Sequence, residues 1–197
     1  MNSTHRPSQR GIAAVEFLLC LPLLLLLALP VVDLARVLQA DIILTNISRE
    51  GASLAARTGG SEQAIMDSLA ATAPPLDMRH LGAIHITKIL ANKAHGMTRN
   101  VVIAQHRWVN GAYVPGNGVW TCGGDGSYWD ASGNCAGLPP PASAPEVDVM
   151  RGNLQDGEVI YLVEAFYRFP LLFGKLDLGG GLVLPGFGRD LHAFTIL

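Results

Sequence analysis

Hydrophobic and polar positions divide the chain into a short polar head, one long apolar run, and a remainder whose pattern changes from helical to strand-like. Residues 1–11 (MNSTHRPSQRG) are polar and carry Arg6 and Arg10 with no acidic residue. From Ile12 to Val32, 21 positions, the only ionisable residue besides Cys20 is Glu16. At about 1.5 Å per residue such a run spans roughly 31 Å as a helix, which matches a bilayer core of about 30 Å. The pattern therefore predicts a transmembrane helix over 12–32. Over 33–58 the helix continues: Leu34, Val37, Leu38, Ile42, Thr45 and Ser48 recur at 3–4 spacing, and Ala52, Ala55 and Ala56 extend the stripe. Gly59-Gly60 ends it. The small residues Gly51, Ala52 and Ala55 allow close approach, either of its own domain or of another subunit. A shorter helix runs from Glu62 to about Ala73, before Pro74-Pro75.

Beyond it the period falls to two. Residues 83–91 and 101–109 read as strands, the second followed by the turn signal Asn110-Gly111. Residues 158–169 give a longer strand with Val159, Tyr161, Val163, Ala165 and Tyr167 on one face and Ile160, Leu162, Glu164, Phe166 and Arg168 on the other. Both faces are largely apolar, which predicts a central strand with helix or membrane cover on one side. Residues 191–197 suit an edge strand. The fold class expected is α+β, a long N-terminal helix packed on a small antiparallel sheet. The chain then divides into a leader (1–11), a transmembrane helix (12–32), its outer continuation (33–58) and an α+β domain (59–197).

Within that domain, residues 110–157 form an irregular segment in which fifteen of 48 residues are Gly or Pro. Two features argue for order in it. Tyr113, Trp120, Tyr128 and Trp129 supply apolar rings, and Cys122 and Cys135 are placed to form a disulfide. Of the three cysteines, Cys20 lies in the apolar run and cannot reach either. Outside the cytoplasm such a bond forms and persists.

Charge and composition narrow the function classes. Lys and Arg number 14 against 16 Asp and Glu, a net charge of −2, which leaves no excess to neutralise phosphates and excludes a nucleic-acid binder held by electrostatics. Charged residues make up only 15% of the chain. Two arginines precede the apolar run and no basic surplus follows it, so the N-terminus is expected in the cytoplasm and the domain outside it. The histidines (5, 80, 85, 95, 106 and 192) are scattered without ligand spacing, so no metal site is expected. Asp125, Asp130 and Asn134 do not match a calcium loop. Gly179-Gly180-Gly181 lacks the lysine of a phosphate loop, and no G-x-S-x-G occurs. The chain reads as a non-enzyme without a cofactor.

Three readings fit the N-terminal segment: a cleaved signal peptide, a plain signal anchor, and one that gives Glu16 a role. A carboxylate in a membrane helix costs about 2.5–3.5 kcal/mol at its centre and less near an interface, so one placed there generally has a partner. Cleavage after Gly11 would make Ile12 the new terminus and Glu16 the fifth residue. The fresh amine of one subunit and the carboxylate of another would then pair, fixing the stagger of packed helices. Pro22 and Pro30 sit inside the run, and membrane helices tolerate them.

Arg10-Gly11 followed by Ile12-Ala13-Ala14-Val15-Glu16-Phe17 resembles the processing site of TadE-like pseudopilins, minor components of the Tad (Flp-type) branch of the type IV pilus systems. A second stretch, Thr45 to Ala52, is similar to the family's N-x-x-R-E-G-A motif through Asn46, Arg49, Glu50 and Gly51. The resemblance implies cleavage after Gly11 by a prepilin peptidase. It also implies contacts with other Tad pilins and pseudopilins and with an inner-membrane assembly platform, and a part in building an adhesive pilus. The chain would then be a single-pass bacterial inner-membrane protein with a periplasmic domain. The alternative from another class is an exported, disulfide-containing binding protein whose first 30 or so residues only deliver it.

Overall fold

The computed structural model describes residues 10–57, 60–94, 97–123, 128–171, 176–177, 183–184 and 189–197. Helix α1 (Arg10–Arg57) is 48 residues long and continuous through Pro22 and Pro30. The apolar run and its expected continuation are thus one element, and the expected stop at Gly59 lies outside the described residues. Helix α2 (Glu62–Ala71) and the single turn α3 (Met78–Leu81) follow. The carboxylate of Asp77 caps α3 by accepting the His80 N–H.

Strands β1 (Gly82–Ala94), β2 (Met97–Arg107), β3 (Val159–Phe169) and β6 (Arg189–Ile196) form an antiparallel sheet in the order β2-β1-β3-β6. A two-stranded pair, β4 (Leu176–Asp177) and β5 (Val183–Leu184), lies between β3 and β6 in the chain. The fold is α+β, with β3 interior and β6 at an edge, as its pattern predicts. Strand β2 stops at Arg107 and not at residue 109, because Val109 and Asn110 already form a turn. Its register slips by one opposite Lys88 and Ile89, leaving Ile103 as the extra residue of a bulge.

The two faces of the sheet are covered differently. On one, α1 and α2 pack over Ile84 and Ile86 of β1, Val163, Ala165, Tyr167 and Phe169 of β3, and Leu191 of β6. The inner face of α1 consists of Val37, Ala40, Leu44, Ile47, Ser48, Gly51, Ala52 and Ala55. This differs from the predicted stripe. Leu34, Leu38 and Ile42 are exposed, because the 3–4 spacing merged the core row with the row beside it. Gly51 sets the closeness of the contact: a Cβ there would stand 2.8 Å from Leu69 Cδ1 and 2.9 Å from Val163 Cγ1.

The other face is covered by the Gly/Pro-rich segment, a role its composition did not suggest. Val147, Val149 and Leu154 pack on Ile89, Val102, Ile160 and Leu162, while Tyr113 meets Ala83 and Phe166. The segment also closes the free edge of β2. Arg107 N donates to Gly133 O at 2.7 Å, Cys135 N to Gln105 O at 2.9 Å, Val102 N to Pro145 O at 3.0 Å and Val147 N to Asn100 O at 2.9 Å. An open edge invites foreign strands, and this pairing removes the invitation. Gly133 has φ +77°, and a Cβ there would run into the Arg107 carbonyl, so only glycine fits. The Cys122–Cys135 disulfide is formed, with a Cα–Cα distance of 5.8 Å, and Cys20 is free.

Candidate assembly surface

The N-terminal candidates fall on the first turns of α1. Gly11 and Ile12 are helical in backbone, and their side chains lie outside the described residues. Glu16 and Phe17 are exposed on the bare helix, amid Val15, Leu18 and Leu19. From Ala14 to Val32 every residue is exposed except the half-buried Leu29, so this length touches almost nothing of its own domain. It is the one described helix long and apolar enough to cross a membrane.

At Asp33 the helix acquires two sides. Its inner side enters the core. Its outer side continues the apolar surface of the run: Leu27, Val31, Leu34, Leu38 and Ile42 follow one another at 3–4 spacing, and the last three are 58%, 55% and 62% exposed. The line leads on to Asn46 and Arg49, both exposed, with Glu50 beside them. The structure therefore divides the second motif. Gly51 serves the fold, by admitting Leu69 and Val163, while Asn46, Arg49 and Glu50 stand on the surface.

The sequence carries no sign of a polar group beneath the irregular segment, because its members are far apart in the chain. Glu164 is fully buried. Its Oε1 accepts the Val119 N–H at 2.7 Å and lies 3.0 Å from His192 Nε2, whose ring stacks on Phe166 at 4.5 Å. His85 packs against Phe166 and Trp129, and burial, with the Arg107 and His192 charges, pushes its pKa down to about 4. Gln105 accepts the Cys122 N–H at 3.0 Å and donates to Trp120 O at 2.8 Å and Thr87 Oγ1 at 2.9 Å. Glu164 and Gln105 hold loop backbone, and the arrangement is structural. Register would have revealed part of it, since His85 lies opposite both Arg107 and Glu164.

Two ionic groups tie α2 to the sheet and to the turn that follows β2. Lys88 Nζ donates to Glu62 Oε1 at 2.5 Å; burial raises the Glu62 pKa, and the Lys88 bond with the nearby His106 more than reverses this. Asp67 accepts from Trp108 Nε1 at 2.7 Å and Asn110 Nδ2 at 2.9 Å, and these bonds hold its carboxyl below the usual range. Asp130 spends its carboxylate on the Ser132 and Asn134 backbone N–H groups and on Asn134 Nδ2. Asp125 lies outside the described residues, as do His95 and the glycines at 179–181. Among the described residues no group of three potential metal ligands comes together.

The family model described as TadE-like protein matches residues 11–53, a span that contains the first motif from Gly11 onward, the second motif and the whole exposed line. No curated protein and no solved structure matches the chain. The matched segment together with the apolar helix fits a single-pass membrane component of a Tad pilus system, a class whose members are structural.

Proposed function

We propose that this chain is a membrane-anchored pseudopilin of an adhesive Tad pilus, processed by a prepilin peptidase after Gly11 and assembled with other Tad pilins and pseudopilins along the outer side of α1. The observation that carries the proposal is the line Leu27–Val31–Leu34–Leu38–Ile42, which runs unbroken from the apolar span into the outer half of the helix and leads to Asn46 and Arg49. A domain that needed α1 only as a tether would have no use for large apolar side chains such as Leu38 and Ile42 on the side turned away from its core. The family match over 11–53 supports the same reading, because it covers this helix and not the sheet.

The mechanism is structural. The apolar run partitions into the inner membrane with residue 1 in the cytoplasm and the sheet domain in the periplasm. Cleavage frees the amine of Ile12, which is cationic below a pKa of about 8. In lipid, that amine of one subunit pairs with Glu16 of its neighbour, and Phe17 packs beside the pair. The outer line then zips the helices together through Ile42, and the exposed Asn46, Arg49 and Glu50 meet the partner or the assembly platform.

Amino-terminal sequencing of the mature protein tests this. Ile12 as first residue supports the proposal. An intact residue 1, or a terminus near residue 30, contradicts it, and the second result favours an exported binding protein. Glu16→Ala should insert normally yet lose co-purification with pilus partners; normal piliation in that variant would remove the role given to Glu16.

A further inference from the structure

One cleft stands where the helix leaves the membrane run. The run ends at Val32, and Arg36 follows one turn later, about 6 Å up the helix axis. Polar headgroups occupy roughly 5–8 Å on each side of the hydrocarbon. Arg36 therefore stands at headgroup depth. A cleft of about 150 Å³ opens there, lined by Arg36, Gln39, Leu76, Tyr167, Phe169 and Pro170 among others.

Its chemistry has two parts. The Arg36 guanidinium lies over the Phe169 ring at 5.3 Å and, among the described residues, makes a single long contact, Nη1 to Asp33 Oδ1 at 3.4 Å. An arginine has five N–H donors, so one such contact leaves a fork for a second acceptor. The Tyr167 hydroxyl accepts the Asp77 N–H at 3.3 Å and, among the described residues, has no acceptor for its own proton. Leu76, Phe169 and Pro170 add hydrocarbon beside these donors.

We infer that this cleft seats the headgroup of a glycerophospholipid, with the phosphate on Arg36 and the glycerol end against Leu76 and Phe169. The inference rests on α1 crossing the bilayer and on no statement about pili. Lipid is the occupant because Arg36 stands on the membrane-spanning helix itself, one turn beyond the end of its apolar run. Arg36 shares its charge with Asp33, which makes the site too weak for a dilute free anion and sufficient for a headgroup presented at membrane concentration.

The test uses the full chain in nanodiscs of phosphatidylethanolamine and phosphatidylglycerol, released for native mass spectrometry. The wild type should retain a bound phospholipid, Arg36→Lys most of it, and Arg36→Gln about tenfold less, the worth of one charge-assisted bond. Arg57→Gln, at the far end of the helix, should match the wild type. Equal retention in the wild type and Arg36→Gln, or displacement by inorganic phosphate, would overturn the inference. A second measurement reads the contact directly: ³¹P dephasing of the arginine ¹³Cζ signal in the nanodisc should be stronger in the wild type than in Arg36→Gln, and equal dephasing would overturn the inference too. Flotation of the wild type with vesicles checks the premise separately, and failure to float would overturn the membrane span and this seat together.

Discussion

The two faces of the sheet meet different kinds of cover and carry different residues as a result. Under α1, the β3 residues are Val163, Ala165, Tyr167 and Phe169, and the contact is almost wholly hydrocarbon. A helix satisfies its own backbone and brings only side chains to the interface. Under the irregular segment, the sheet presents Asn100, Gln105 and Glu164, all buried. A loop brings backbone groups with no internal partner. Each of these side chains takes one: Asn100 Nδ2 donates to Val149 O, Gln105 serves Trp120 and Cys122, and Glu164 accepts from Val119. Burying a loop requires polar sheet residues in proportion to the loop's unpaired groups.

The comparison makes the helix-covered face sensitive to volume and the loop-covered face sensitive to hydrogen bonds, charge and the disulfide. Leu44→Ala, a fully buried residue of α1, should cost about 2–5 kcal/mol in a denaturant titration. A loss below about 1 kcal/mol would mean that the helix is not seated as described. The loop face should show its difference in acid. His85 has its pKa pushed from 6.5 down to about 4 in the fold, so the unfolded chain binds the proton first as pH falls. Stability is complete above about pH 6.5 and declines by about 3 kcal/mol on the way to pH 4. His85→Phe should flatten that part of the profile, and an unchanged slope would assign the acid sensitivity elsewhere.

Cys122→Ser removes the closure of the irregular segment and should lower stability by about 3 kcal/mol in the chain-entropy model. Protease cuts should then concentrate in 110–157, and unchanged protease resistance would show that edge pairing with β2 suffices. Gln105→Leu preserves bulk but strands the Trp120 carbonyl and the Cys122 N–H, a cost of about 2 kcal/mol. It should raise amide exchange at Cys122 and leave α1 protected. Equal exchange across both covers would break the distinction between them.

Much of this was legible before the fold. The length of the apolar run, the alternation in 158–169 and the position of the two outer cysteines each depend on local spacing, and each has its place in the structure. What escaped depends on tertiary direction. Periodicity marks apolar rows without saying which row faces inward, so Leu34, Leu38 and Ile42 fell into one stripe with residues that the structure buries. Glycine and proline content reports the absence of regular structure and is silent on packing, so the sheet cover by 110–157 was hidden. Glu164 reads as one polar position in an apolar strand until Val119 and His192 arrive from 45 and 28 residues away.

The outer side of α1 is the hinge of the functional account, and photo-crosslinking in the living cell tests it most directly. A photoreactive residue at position 38 or 42 should capture the helix of another Tad pilin or pseudopilin, while the same probe at Ala56, beyond the exposed line, should not. Normal piliation with no adduct from either position, or equal adducts from all three, would contradict an assembly surface along this line.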